Sequence, residues 1–161
     1  MSIDLVAIRS SCSGEVFCQG DDGYEQARSI WNGAIDKKPA VIVCCSTSAD
    51  VINALKAAKA HGLEVSVRGG GHNYAGSALT HGGLTIDLSR MRDVMVDVEA
   101  RRVRCGGGTR WVDLDAACQE HGLGVPGGFV SHTGVAGLTL GGGFGWLTRR
   151  LRLSDRPKAS W

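Results

Sequence analysis

The stretch "VSVRGGGHNYAGSAL", residues 65–79, decides how the chain is read. The "EVSVR" that leads into it predicts a strand, and three glycines begin where that strand ends. Glycine reaches backbone conformations closed to other residues and lets a ligand approach the main chain. Successive amides turned one way form a concave nest for an anion such as phosphate. Ligands of open α/β sheets bind off the carboxyl ends of the strands, which is where this loop sits. A tight turn or a bulge is the alternative reading of one glycine triplet alone. His72 closes the triplet; a lone histidine in a loop reads first as a hydrogen-bonding residue.

Upstream, "AVIVCC" (40–45) is β-branched and continuous, which predicts a strand buried on both faces. A helix follows in "STSADVINALKAAKAHG", with Ser46, Thr47 or Ser48 as cap, Asp50 in the first turn and Gly62 as stop. Its expected inner stripe is Val51, Ile52, Leu55 and Ala58. Together with "EVSVR" this makes a β-α-β unit, whose crossover should be right-handed. Before it, "YEQARSIWNGAI" places Ala27, Ile30, Trp31 and Ala34 at helical spacing, and residues 1–22 are weakly patterned, an expected loose arm.

Downstream, "LTIDLS" (84–89), "VMVDVE" (94–99) and "RRVRC" (101–105) read as strands, the last two as a hairpin. "TRWVDLDAACQEHG" reads as a helix capped by Thr109 and stopped by Gly122, with Trp111, Leu114 and Cys118 facing inward. A second glycine-rich segment, "TGVAGLTLGGGFG" (133–145), follows some sixty residues after the first. Two such segments suit a long, thin ligand better than a single phosphate. Neither is a Walker loop, since no glycine-lysine-serine/threonine triplet occurs, and neither has the strand-turn-helix context of a dinucleotide fingerprint.

Nineteen of the 24 glycines lie between Gly69 and Gly145, so the enrichment is regional. Charged residues make up 21% and hydrophobic residues 43%, ordinary for a globular protein. Arg149, Arg150, Arg152, Arg156 and Lys158 form a basic tail against Asp155 alone. Such a tail can attract nucleic acid or a membrane surface, but a solvated helix end or strand edge explains it more simply, and neither partner is expected. The six cysteines include no CxxC pair and no zinc spacing, so no metal site is expected. With no signal-peptide pattern and no membrane-length apolar run, a soluble, reduced, cytoplasmic protein is the default.

Taken in order, "VRGGGHNYAGSAL", "GLTIDLSRMRDVMVDVEARRVRCGGGTRWVDLDAACQEHGLGVPGG" and "SHTGVAGLTLGGGFGWLTRR" resemble the FAD-binding domain of the vanillyl-alcohol-oxidase superfamily. The branch they resemble is the berberine-bridge-enzyme-like group of bacterial FAD-linked oxidases, and the resemblance covers roughly residues 23–151. It implies an α+β fold, a two-lobed FAD-binding domain of the p-cresol-methylhydroxylase type. It also implies that His72, which ends the "RGGGH" loop, is joined covalently to the flavin. By the same match Arg68 and the amides of Gly69, Gly70, Gly71, His72 and Asn73, with Ser77, hold the pyrophosphate. Gly127, Gly128, Thr133, Gly134, Gly137, Gly141, Gly142 and Gly143 line the rest of the flavin. Val130 stands where some relatives carry a second, cysteine attachment, so a single attachment is expected. Trp146 is expected to pack beneath the loop. His132 has no assigned role, and no catalytic base is matched.

The implied partners are a small-molecule substrate and molecular oxygen, with hydride passing from substrate to FAD. After "GWLTRRL" the family pattern gives way to "RLSDRPKASW", with Arg152 in place of a glycine. The expected organisation is therefore an arm (1–22), an FAD-binding domain with an incomplete second lobe (23–151) and an atypical basic tail (152–161), without a substrate domain. An oxidoreductase portion and a truncated, non-catalytic FAD-binding remnant or partner-dependent module both fit these residues. Bleaching of bound flavin by substrate separates them.

Overall fold

The computed structural model describes residues 3–151. The chain opens with α1 (Leu5–Ser11) and β1 (Val16–Cys18), followed by a single turn, α2 (Tyr24–Ala27). Next come β2 (Val41–Cys44), α3 (Ser48–His61), β3 (Val65–Arg68) and β4 (Leu84–Asp87). The remainder is a hairpin, β5 (Val94–Asp97) and β6 (Arg102–Cys105), then α4 (Trp111–Gln119), α5 (Val135–Gly141) and α6 (Thr148–Leu151).

The first sheet runs β1-β2-β4-β3. Its β2, β4 and β3 are parallel, and β1 pairs antiparallel with β2 in the register Val16↔Val43. All four residues of β2 and of β4 are buried. Val41, Val43 and Cys45 face a core shared with Ile8 of α1 and with Ala54 and Ala58 of α3. Ile42 and Cys44 face the other side, against Tyr24. Both faces of β2 are covered, which is why its sequence is continuously apolar rather than alternating.

Four differences from the sequence reading have clear causes. Residues 1–22, expected as a loose arm, supply α1, an edge strand and the buried Ile8 and Val16. The arm is fixed by Asp50, whose carboxylate accepts from the Ser13 amide at 2.7 Å and the Ser13 hydroxyl at 2.8 Å. It also accepts from the amides of Ser46 and Thr47, both at 3.0 Å. Burial alone would raise this carboxyl; the four donors overcome burial and hold it well below the usual carboxylate range. With Thr47 as the cap and Asp50 turned inward, the buried stripe of α3 is Asp50, Ala54 and Ala58. Ile52 and Leu55 of the expected stripe point outward instead. Two alanines let the helix sit close to the sheet.

The helix expected over 24–35 stops at Ala27. The Arg28 guanidinium pairs with Glu25 at 2.5 Å and with Asp36 at 2.6 Å, folding residues 28–36 back as a loop. At the other end of the molecule, α4 starts one residue later than expected. Arg110 is its N-cap, and Thr109 is buried ahead of it.

β5 and β6 pair only with each other, antiparallel from Val94↔Cys105 to Asp97↔Arg102. Trp111, Leu114 and Cys118 of α4 pack with Val135 of α5 against the inner face of this hairpin, as the spacing predicted. No helix among the described residues is long and apolar enough to cross a membrane.

Candidate functional site

The glycine loop leaves β3 at Arg68, whose guanidinium turns back into the fold. It donates to the Ala27 carbonyl at 2.5 Å and faces the Asp87 carboxylate at 3.6 Å. Its Nε is buried beside Gly71 and has no partner among the described residues. Gly71 takes φ +70°, which turns the chain sharply before His72. Asn73 closes the turn: its side-chain oxygen accepts from the Ser77 amide at 2.9 Å. Among the described residues, none of the amides of Gly69, Gly70, Gly71, His72 and Asn73 has an acceptor. Successive backbone donors of this kind can form a concave nest for an anion.

The second glycine segment reaches this loop through the start of α4. The Trp111 amide donates to the Thr133 carbonyl at 3.1 Å, Val112 to Ser131 at 2.9 Å, and Val135 returns a bond to Thr109 at 2.9 Å. This places Gly134 directly on Gly70. A Cβ at Gly70 would lie 2.3 Å from the Gly134 nitrogen, and one at Gly134 would lie 2.6 Å from the Gly70 nitrogen. The two segments are thus in backbone contact, which side chains would forbid.

His72 is half-buried at this junction. Its ring stacks on Trp31, centroids 5.4 Å apart and planes 25° apart, and meets the His132 ring at 4.7 Å and 54°. Burial, then the nearby His132 and Arg110, push its pKa below the ordinary imidazole value. That shift favours the neutral ring, which keeps a lone pair on one nitrogen.

The other candidate residues fall into two groups. Gly127 and Gly128 lie over the Trp111 indole, where a Cβ would come within 2.0 Å and 2.8 Å of the ring. Gly137 and Gly141 sit on one side of α5 and face open space, as does Gly142 after it. A Cβ at Gly143 would meet Leu138 at 2.4 Å. The Thr133 hydroxyl donates to the Val130 carbonyl at 2.7 Å, fixing the turn that leads into Gly134. Trp146, expected beneath the loop, is 84% exposed. It meets Phe129 edge-on at 5.9 Å, and Phe129 meets Phe144 at 5.3 Å, forming an outward-facing aromatic cluster.

Sequence reasoning missed residues 28–37 as part of the site. Trp31 donates its amide to the Gly71 carbonyl at 3.2 Å, and Asn32 donates its side-chain amide to the Tyr74 carbonyl at 2.8 Å. Lys37 Nζ donates to the carbonyls of Gly76 and Leu79 at 2.9 and 3.0 Å. The one available signal was polar: Arg28 and Asp36 cannot both serve a regular helix that also ends in "NG".

Comparisons with known proteins fit this geometry. A family model described as an FAD binding domain matches residues 39–155. The chain is 37% identical over 145 residues to (R)-6-hydroxynicotine oxidase of Paenarthrobacter nicotinovorans, covering 90% of this chain and 32% of the relative. The crystal structure of 6-hydroxy-D-nicotine oxidase from Arthrobacter nicotinovorans superposes with a TM-score of 0.86 at 37% identity, over 89% of this chain and 32% of that one. The BBE-like 1 protein of Physcomitrella patens superposes with a TM-score of 0.88 at 28% identity, over 96% of this chain and 34% of that one. The chain spans about a third of the length of the relatives it matches.

Proposed function

The chain belongs to the FAD-binding domain family of FAD-linked oxidoreductases, with FAD as its cofactor, and from that premise we propose that it holds a flavin covalently through His72. FAD held here would supply the redox chemistry, hydride acceptance from a small-molecule substrate with molecular oxygen as final acceptor. The chain's residues bind and orient. The acceptor-free amides of Gly69, Gly70, Gly71, His72 and Asn73 take the pyrophosphate, with Arg68 Nε beside them and Ser77 fixing the loop. Thr133, Gly134, Gly137, Gly141, Gly142 and Gly143 line the rest, with Gly127 and Gly128 behind them on Trp111. The His72 ring would supply the nucleophilic nitrogen: an N–C bond would replace the imidazole N–H and one C–H of the flavin's ring methyl, and the two electrons and two protons released would pass through the flavin to molecular oxygen. Val130 has no thiol, so the attachment is single. The division into an FAD-binding domain (23–151) and a basic tail (152–161, outside the described residues) belongs to this proposal.

The observation that carries it is the run of donor amides meeting the second glycine segment beside the half-buried His72. A second reading, an FAD-binding module that needs a partner chain to turn over, is favoured by the exposed Phe129, Phe144 and Trp146 cluster. Loading the protein with FAD and adding amines, alcohols and sugars without oxygen tests both. Bleaching of the flavin by a member of one class supports the oxidoreductase. Bound flavin that no class bleaches supports the partner-dependent module.

A further inference from the structure

Trp31 is 60% exposed, yet its backbone and ring are both committed. Its amide bonds to Gly71 and the neighbouring Asn32 to Tyr74, so the segment grips the chain on either side of His72. Its indole stacks on the His72 imidazole at a centroid distance favourable for ring pairs. A second ring, His132, contacts the same imidazole.

We propose that Trp31 is a positioning residue for His72, holding the imidazole in a fixed orientation against His132 before the cofactor arrives; this rests on the reading of His72 as the point of attachment. The mechanism is mechanical and dielectric. Stacking removes rotational freedom from the histidine ring, and the indole covers one side of it from water. The charged or titratable groups acting on His72 are His132 and Arg110, and neither belongs to the 28–37 segment. Trp31 thus acts by contact and exclusion of water rather than by charge. Because Trp31 is 60% exposed and lies outside the core clusters, its substitution should leave the fold intact.

The test compares wild type with Trp31→Ala and Trp31→Phe. Histidine ring nitrogens are followed by NMR across pH in FAD-free protein, and the rate of acid-stable FAD attachment is measured after FAD is added. In Trp31→Ala, His72 should titrate closer to an ordinary imidazole, and attachment should slow about two- to ten-fold, the factor expected from losing one ring pair, while FAD still binds. Trp31→Phe should restore both. Wild-type titration and rate in Trp31→Ala, or no recovery in Trp31→Phe, overturns the proposal. If wild type holds FAD without any covalent link, the attachment reading fails on its own. The His72 titration then decides the role of Trp31: a shift restored by Phe supports it, and no shift overturns it.

Discussion

The β1–β4 sheet and the β5–β6 hairpin are built from similar β-branched sequences but finish differently. In the first, β2 and β4 are buried along their whole length, with α1 and α3 on one side and Tyr24 on the other. In the second, burial alternates along both strands, Met95 is 68% exposed, and the aromatic cluster around Phe129 points outward. The first region encloses β2 and β4, although Val65 and Val67 on its edge strand β3 stay exposed. The second leaves apolar surface open and touches the first at Gly70 and Gly134. The proposed cofactor site therefore falls where an enclosed sheet meets a half with more open surface, and large exposed apolar patches are the usual mark of an interaction surface.

The largest expected effect probes the enclosed sheet. Leu84→Ala, at a fully buried position, should lower stability by about 2–5 kcal/mol in denaturant unfolding. Met95→Ala in the hairpin should cost less than about 0.5 kcal/mol. Equal losses would break the contrast.

Asp50→Ala should cost about 1–3 kcal/mol, because four part-buried hydrogen bonds to a carboxylate are lost. The folded carboxyl is depressed, so its contribution is complete above the ordinary carboxylate range and is lost as the pH falls below that range. Unfolding measured at pH 7 and again near pH 3 should therefore show a gap between wild type and variant that narrows on acidification.

Gly70→Ala acts at the contact between the halves. A Cβ there meets backbone that cannot move aside, and overpacking of this kind costs about 1–3 kcal/mol, or roughly ten-fold or more in FAD affinity. Flavin titration checks it; unchanged affinity would mean that the two segments need not touch to bind. The smallest effect on stability should come from Trp146→Ser, below about 0.5 kcal/mol. Light scattering should nonetheless show less self-association, since the indole is the most exposed part of the patch.

Much of the first half is legible in the sequence because its signals are local. A continuous "VIVC", a Ser/Thr cap ahead of Asp50, a Gly62 stop and a glycine run at a strand end are each read from neighbouring residues alone. The failures have a common cause. Ile52 and Leu55 read as core by hydrophobicity, but the phase of α3 is set by Asp50 reaching Ser13, a contact 37 residues away. Trp31 reads as a helix stripe, but its position is decided by Gly71, and Thr109 loses its cap to Arg110 because Val135 bonds back to its carbonyl. The glycine loops are legible from residue type and order, and His72 is singled out by the family resemblance, whereas the rings around His72 needed coordinates.

The most direct test of the cofactor site is the absorption spectrum of FAD-loaded protein before and after acid precipitation, repeated with His72→Ala. Flavin colour should stay with the wild-type pellet and pass into the supernatant for the variant. Colour released from the wild type, or retained by His72→Ala, would contradict His72 as the point of attachment.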